Sequence, residues 1–225
     1  YLGYTIDEIN MVYNSTRTLM KGPKVYSRPL NPLGGRAVVC GSGPSLDGLL
    51  PSIKTLSQTH QIIACGSNYR TLRAHDIRVD YLALVERADL LYEAMQEMAN
   101  EYDTINTRLL MSTTCHHQLI DLFKDTMVFF RPALTPLSIF SLKPSQILIF
   151  EGPESINTGI AFACELGLDH IVLAGVDLGA KSLDYLRSKD ALNTTDRTMT
   201  HTFEGNFGGV VHTSDPLRDA RIFLE

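Results

Sequence analysis

Residues 36–50 read RAVVCGSGPSLDGLL, and their pattern indicates the class of fold. The run at 37–40 is apolar without alternating polar positions, which is typical of a strand buried on both faces of a parallel sheet. Gly41 and Gly43 then predict a turn without bulky side chains. Pro44 has no amide hydrogen to lose, so it suits the first position of a helix. The stretch therefore predicts a strand, a tight turn and a helix.

The turn is a candidate anion site. The helix N-terminus carries the positive end of the helix dipole, and Ser42 or Ser45 can cap its free amides. We expect several unpaired amides to hold a nucleotide phosphate or a sugar carboxylate. The spacing matches neither the dinucleotide-binding fingerprint nor the P-loop, because it lacks the third glycine and a Lys-Ser/Thr pair. A tight turn that binds no ligand is the alternative.

The rest of the chain repeats the pattern of strand and helix. Helical stripes separate the apolar runs, so we predict a three-layer, Rossmann-like α/β fold with a doubly wound, mostly parallel sheet. We assign 36–225 to this domain and 1–35 to an N-terminal helix and a proline-containing linker. The polar, aperiodic residues 181–201 predict a mobile excursion. Further strands are predicted at 61–66, 80–86, 108–112, 127–130 and 171–174.

Composition excludes several classes of protein. The 225 residues are 44% apolar and 20% charged, which suffices for the core of one α/β domain. A net charge of −5 without tryptophan or basic runs argues against a nucleic-acid partner. No segment has the length of a membrane span and no signal peptide opens the chain, so we expect a cytoplasmic protein without a membrane partner. The chain begins without Met and ends abruptly, so we expect a portion of a longer protein.

No group of residues predicts a metal site. His116 and His117 lack a carboxylate or cysteine at ligand spacing, so exposed histidines at the start of a helix are expected. The four cysteines lack C-x-x-C spacing and lie in apolar surroundings, which predicts reduced thiols in the core. These cysteines are Cys40, Cys65, Cys115 and Cys164.

Small and amide-bearing residues follow the predicted strands or open the helices. Ligands of doubly wound sheets bind beyond the carboxyl ends of the strands, and such residues can bond ribose hydroxyls and a base edge. Helix capping by Asn68 and Thr158 is the alternative. The candidates for nucleotide binding are Gly41, Ser42, Gly43, Pro44, Ser45, Asn68, Glu86, Asn157, Thr158 and Gly159.

Three residues near this edge are candidates for catalysis. Asp177 follows the last strand of the sheet, although a turn former is the alternative. Lys181, with Tyr185 beside it, can stabilise a departing phosphate. His201 precedes the glycine-rich residues 205–209, and histidine is the side chain best suited to a general base near neutral pH. Solvated loop residues without a catalytic role are the alternative for Lys181 and His201.

Five motifs fall at the strand ends and helix starts described above: CGSGPSLD at 40–47, YLALVERAD at 81–89, NTGIAFACELG at 157–167, LAGVDLG at 173–179 and GNFGGVVHT at 205–213. Together they resemble the central domain of the motility accessory factor (Maf) flagellin glycosyltransferases, which lies within the wider MptE-like group. The resemblance covers about residues 36–225, and the combination is far more specific than any single motif.

The resemblance implies a nucleotide-sugar-binding domain similar to bacterial sialyltransferases. It implies transfer of a nonulosonic acid of the pseudaminic, legionaminic or sialic type from a CMP-sugar to Ser or Thr of flagellin. No cofactor or metal is expected beyond this donor. The segment 179–189 departs from the family pattern, because it has none of the histidines that often follow this strand.

Two other functions stay open. The MptE-like group includes pterin diphosphokinases that use ATP, and such an enzyme needs Mg²⁺ held by carboxylates such as Glu86 and Asp177. The second is a nucleotide-binding module without catalysis. Whether CMP or ATP binds distinguishes the glycosyltransferase from the diphosphokinase. Hydrolysis of the sugar donor distinguishes an enzyme from a binding module.

Overall fold

A computed structural model describes residues 5–132, 134–192, 198–206 and 208–225. Within these ranges a seven-stranded sheet forms the centre of the fold, and every neighbouring pair of its strands is parallel. The strand order is β1-β6-β5-β4-β3-β2-β7. The strands are β1 (Lys24–Val25), β2 (Arg36–Cys40), β3 (Gln61–Cys65), β4 (Tyr81–Leu84), β5 (Arg108–Ser112), β6 (Asp125–Phe129) and β7 (His170–Ala174).

Helices cover both faces of the sheet. The α-helices of the described residues are α1 (Thr5–Met20), α2 (Leu46–Leu56), α3 (Asn68–Ala74), α4 (Asp89–Glu101), α5 (Thr135–Phe140), α6 (Ser155–Glu165) and α7 (Asp215–Ile222). Val38 and Cys40 of β2 share a core with α2, α3 and α4, whereas Ala37 and Val39 share the opposite core with α6. Both faces of β2 are buried, which explains its unbroken apolar run. The predicted three-layer α/β fold is confirmed.

The winding of the chain reverses beside β2. From β2 the chain advances strand by strand to β6, and α6 then carries it back across the other face to β7. Val39 of β2 thus pairs with Ile63 of β3 on one side and with Leu173 of β7 on the other. Ligands of doubly wound sheets bind at such a reversal, outside the carboxyl ends of the strands.

The start of α2 differs from the sequence prediction. Pro44 lies in a turn before the helix, and α2 begins at Leu46 with Ser45 as its N-cap residue. The Ser45 side chain makes no capping hydrogen bond. The prediction of Pro44 at the first helical position is therefore wrong.

Part of the predicted linker belongs to the sheet. Lys24–Val25 forms β1 and pairs with β6 at the sheet edge. The adjoining Tyr26 is 1% exposed, and its hydroxyl donates to Glu165 Oε2 of α6 over 2.7 Å. Arg28 donates from Nε to the same oxygen over 2.9 Å. These contacts attach the predicted linker to the sheet through β6 and to the helical layer through α6. The domain boundary at residue 35 stays a prediction.

The predicted excursion ends in a hairpin. β8 (His201–Glu204) pairs antiparallel with β9 (Val210–Thr213), and the Gly205 amide donates to Gly209 O over 2.9 Å in the turn. The amide of Ala180 donates to His212 O over 2.8 Å, which joins the hairpin to the segment after β7. His201 therefore lies in a strand rather than in a mobile loop. Residues 193–197 of the predicted excursion lie outside the described residues.

The cysteines fit the prediction with one exception. Cys40, Cys65 and Cys115 are buried free thiols, and burial raises the pKa of Cys40 and of Cys115 to about 12. These thiols stay protonated at neutral pH. Cys164, however, lies on the exposed side of α6, so its assignment to the core is wrong.

The two neighbouring histidines are packed, which corrects the expectation that they are exposed. Their rings stack with centroids 4.9 Å apart, and the His116 side chain is only 14% exposed. His117 Nδ1 lies 3.2 Å from Asn14 Oδ1 of α1. Burial, and secondarily the charge that His116 can carry, lowers the pKa of His117.

Acidification is expected to destabilise the fold through His117. Because its pKa is lower folded than unfolded, the unfolded chain takes up the proton first. The contribution of neutral His117 to the free energy of unfolding is complete above the pKa of the unfolded chain, about 6.5. It is lost as the pH falls from there toward the pKa of His117 in the folded protein. Melting temperatures between about pH 8 and pH 5.5 should fall less steeply for His117→Asn than for wild type. The exposed His170→Asn is the matched control, and an equal slope in all three proteins would contradict the assignment.

Candidate functional site

A cavity of about 660 Å³ opens at the carboxyl ends of β2, β3, β4 and β7, where the winding reverses. This volume is typical of a pocket for a small organic ligand. We call the strand-end loops its floor and residues 183–191 its roof. The floor residues are Gly41, Ser42, Gly43, Gly66, Ser67, Glu86, Gly175 and Val176. At one side the lining includes Ser155 and Ile156 of α6 and the N-cap residue Glu154.

The loops after β2 and β7 are fastened together. The amide of Gly41 donates to Ala174 O over 2.8 Å, and the amide of Gly43 donates to Gly175 O over 2.8 Å. Gly175 has a φ of +67°, and a Cβ there would lie 2.5 Å from Gly41 O. Only glycine fits this position, since a side chain would collide with backbone. The floor is therefore a close crossing of two backbones.

Asp177 stabilises the start of α2. Its Oδ2 accepts a hydrogen bond from the Ser45 amide over 2.8 Å. The amides of Gly41, Gly43 and Ser45 all have partners within the protein, so the prediction of unpaired amides is wrong for these three. The carboxylate of Asp177 takes the place expected for a ligand anion. Gly41, Ser42 and Gly43 line the cavity, whereas Pro44 and Ser45 lie outside its lining.

Asn68 holds two strands together. The residue is fully buried, its Oδ1 accepts from the Cys65 amide over 3.0 Å, and its Nδ2 donates to Cys40 O. Its side chain therefore joins the ends of β2 and β3 and is absent from the cavity lining. A role in nucleotide binding stays a prediction.

The start of α6 is also held by its own side chains. Asn157 Oδ1 accepts from the Glu154 amide over 3.3 Å, and its Nδ2 donates to Ala220 O of α7 over 2.9 Å. Thr158 is fully buried and donates from Oγ1 to Glu151 O over 3.1 Å. These side chains and Gly159 position α6, while Glu154, Ser155 and Ile156 line the cavity.

The three predicted catalytic residues do not converge in the cavity. Lys181 is exposed and lies outside the lining. His201 Nε2 lies 2.7 Å from Asp215 Oδ1 and 3.2 Å from Arg218 Nη1, which places this ring in a charged cluster beside α7. His201 is also absent from the lining, although Met199 reaches it. Asp177 is engaged at α2, and Glu86 is the predicted site carboxylate that lines the cavity.

The roof is fastened to the floor through Ser188. Its amide donates to Ser42 O over 3.0 Å, and its hydroxyl lies 3.0 Å from Thr71 Oγ1 of α3. Just beyond the roof, the Leu192 amide donates to Ser67 O over 3.1 Å. This part of the excursion is therefore hydrogen-bonded at residues 188 and 192, whereas residues 181–184 are exposed. The mobility predicted for residues 181–201 stays a prediction.

Asp47 in the first turn of α2 makes two further links to the roof. The Tyr185 hydroxyl donates to Asp47 Oδ2, and the amide of Lys189 donates to the same oxygen over 3.2 Å. The hydrogen bond to Asp47, with some desolvation, raises the pKa of Tyr185 to about 12. The phenol is therefore neutral at physiological pH.

Comparison with known proteins assigns this chain to a family. The family model described as 6-hydroxymethylpterin diphosphokinase MptE-like matches residues 10–182. The chain belongs to the MptE-like family. Among curated proteins none matches this MptE-like chain significantly.

A solved structure confirms the resemblance to the Maf proteins. The Maf glycosyltransferase from Magnetospirillum magneticum AMB-1 is 31% identical to the MptE-like chain and superposes with a TM-score of 0.88. The match covers 100% of this chain and 34% of that one. The MptE-like chain thus spans about a third of the Maf glycosyltransferase.

Charged residues that the sequence reasoning missed lie at two places on this MptE-like chain. Arg187 and Glu154 line the cavity, although neither follows a strand and neither belongs to a recognisable motif. Arg131 after β6 forms a buried ion pair with Glu151, with Nε 3.0 Å from Oε1. Burial raises the pKa of Glu151, although Arg131 opposes the shift. The pair fixes the loop before α6, because Arg131 Nη2 also donates to Gly152 O over 3.1 Å.

The described residues contain neither a cluster suited to a metal ion nor a helix suited to a membrane. No group of three or more His, Cys, Asp or Glu side chains is placed to hold a metal ion within the described ranges. No helix in the same part of the MptE-like chain combines the length and the apolar character that crossing a membrane requires.

Proposed function

We propose that this chain is the donor-binding domain of a glycosyltransferase. In this proposal, a nonulosonic acid passes from its CMP-activated form to a Ser or Thr hydroxyl of flagellin. The observation that carries the proposal is the match to the Maf glycosyltransferase, which extends over 100% of this chain and so includes every residue of the cavity. The roof supports it as well, because a covered site protects an activated sugar from water.

The cavity has groups for each part of such a donor. Hydroxyl and backbone groups of Ser42, Ser67 and Ser155 are available to the ribose and the base edge. Glu86 projects from the loop after β4, and we assign it the role of general base. The neutral phenol of Tyr185 and the lining cations stand near the roof, where a departing phosphate can be stabilised.

The proposed reaction is a substitution at the anomeric carbon. Glu86 takes the proton of the acceptor hydroxyl, whose oxygen forms a bond to that carbon. The bond between this carbon and the CMP phosphate oxygen breaks, and CMP leaves with the electron pair. Asp177 holds α2 in place, and Lys181 and His201 have no assigned step because they lie outside the lining.

CMP is expected to raise the melting temperature of the chain more than ATP or 6-hydroxymethylpterin does. The physical reason is that a ligand of the folded state stabilises it by mass action. Ser42→Trp fills the floor of the cavity and should abolish the shift. EDTA should leave the CMP shift unchanged, because a single phosphate can be held by protein cations and hydroxyls, whereas a diphosphate usually recruits Mg²⁺.

The contrary results identify the rival functions. Stabilisation by ATP and pterin that disappears in EDTA would favour the diphosphokinase, which the family description names. Binding of CMP without hydrolysis of a CMP-sugar by the complete protein would favour a module without catalysis. Gly48→Ala, a surface change on α2 with open space around it, is the control for Ser42→Trp.

A further inference from the structure

We propose that the roof cations Arg187 and Lys189 bind the phosphate of the nucleotide, and that the N-terminus of α2 does not. The inference rests on the proposed function, since it assigns the anionic part of the donor to one side of the same cavity. Arg187 and Lys189 are the two cationic side chains among the described residues that line the cavity. Both come from one short stretch of the roof.

Two carboxylates already occupy the start of α2. Asp177 already accepts from the Ser45 amide, and Asp47 lies in the first turn of α2. These two carboxylates take up the favourable electrostatic position at the helix N-terminus. Glu86, Glu154 and, on the roof, Asp184 also line the cavity. A phosphate placed at the start of α2 would meet the carboxylates of Asp47 and Asp177.

Hydrogen bonds hold the backbone that carries Arg187 and Lys189. Ser188, between the two cations, is bonded through its amide to Ser42 O and through its hydroxyl to Thr71. The amide of Lys189 is bonded to Asp47, and Arg187 Nη1 lies 3.4 Å from Leu192 O. Such anchoring reduces the conformational entropy lost when a ligand binds.

Tyr185 and Asp47 are positioning residues in this arrangement. The Asp47 carboxylate accepts from both the Tyr185 hydroxyl and the Lys189 amide, so one side chain joins α2 to the roof on either side of Arg187. The backbone that carries the two cations therefore depends on α2. The negative charge at the start of α2 thus serves to hold the roof instead of a ligand.

The test compares CMP with cytidine, which differ only in the phosphate. Calorimetric titration of the wild type should give tighter binding of CMP than of cytidine. Arg187→Gln and Lys189→Gln should each weaken CMP binding about 10-fold, as expected for one charge-assisted contact, and leave cytidine binding unchanged. Lys189→Arg retains the charge and should restore most of the preference. Lys124→Gln, an exposed cation just before β6 at the opposite edge, is the matched control.

The outcomes separate this inference from the proposed function. If the wild type prefers CMP and both glutamine variants keep that preference, the phosphate lies elsewhere and the inference is overturned while the CMP site stands. If the wild type binds neither CMP nor cytidine, both are overturned. Melting curves of each variant are recorded first, and if Arg187→Gln fails to fold, Lys189→Gln and Lys189→Arg decide the result.

Discussion

Gly159→Ala is expected to lower the free energy of unfolding by about 1–3 kcal/mol, the usual cost of forcing extra atoms into a packed core. Gly159 lies in α6, where the helix crosses β2 and β3. A Cβ there would collide with Cys65 Sγ and would lie 3.1 Å from Val39 Cγ1. The helix would have to move away from the sheet, which outweighs the better helix propensity of alanine. Urea unfolding measures the change.

Gly48→Ala is the matched control for this change. Gly48 also lies within an α-helix, but nothing stands within 4 Å of a Cβ built on it. Its replacement should stabilise the protein by up to about 1 kcal/mol through helix propensity alone. Equal unfolding midpoints for the two variants would contradict the close approach of α6 to the sheet.

Glu86→Gln is expected to lower the proposed glycosyl transfer by the complete protein by about 10² to 10⁴, the usual contribution of a general base. Glutamine keeps the size and the hydrogen-bonding capacity of the side chain but cannot accept the proton. The affinity for CMP should change little, because the nucleotide keeps its contacts. Transfer kinetics and a CMP titration on the same preparation separate the two effects.

Two further variants test the assignment of Glu86 as the general base. Glu97→Gln, an exposed carboxylate on α4, should leave turnover unaltered. His201→Ala removes a ring that is held by Asp215 outside the cavity lining. A larger loss in His201→Ala than in Glu86→Gln would return the role of general base to His201.

The central strands could be predicted from the sequence because burial on both faces leaves a local signal. Each of the strands β2 to β6 falls within or beside a predicted apolar run. β7 was found as well, although Val172 and Leu173 are 41% and 49% exposed at the sheet edge. The apolar pattern reports the residue types and does not reveal which strand is left at an edge.

Other parts of the fold carry no local signal. The edge strand β1 has two residues, too few for any periodicity. It forms because Lys24 and Val25 pair with β6, about a hundred residues away in sequence. The roof was interpreted as mobile because its sequence is polar. Its order depends on partners remote in sequence, such as Ser42 for Ser188 and Asp47 for Tyr185.

The candidate site was predicted in outline but not in its charges. The rule that ligands bind beyond the carboxyl ends of parallel strands points to Gly41, Ser42 and Glu86, which line the cavity, and nucleotide binding by them stays a prediction. The same rule could not reveal that Asp177 folds back onto Ser45, because that contact joins loops from two separate strands. The direction of a side chain, rather than its position along the sequence, decides whether its amide or carboxylate faces the cavity or forms a hydrogen bond within the protein.

The floor is attached to the protein more strongly than the roof, and this difference has a consequence for the rate of binding. The floor cannot widen without separating β2 from β7, whose pairing continues along the full length of both strands. The contacts of the roof with other elements include single hydrogen bonds at Ser188, Lys189 and Tyr185 and the contact of Asp190 with His75. The strands therefore supply a rigid surface, and we expect a ligand to enter by opening of the roof. We expect the association rate to depend on how often the roof opens, and product release to depend on the same movement.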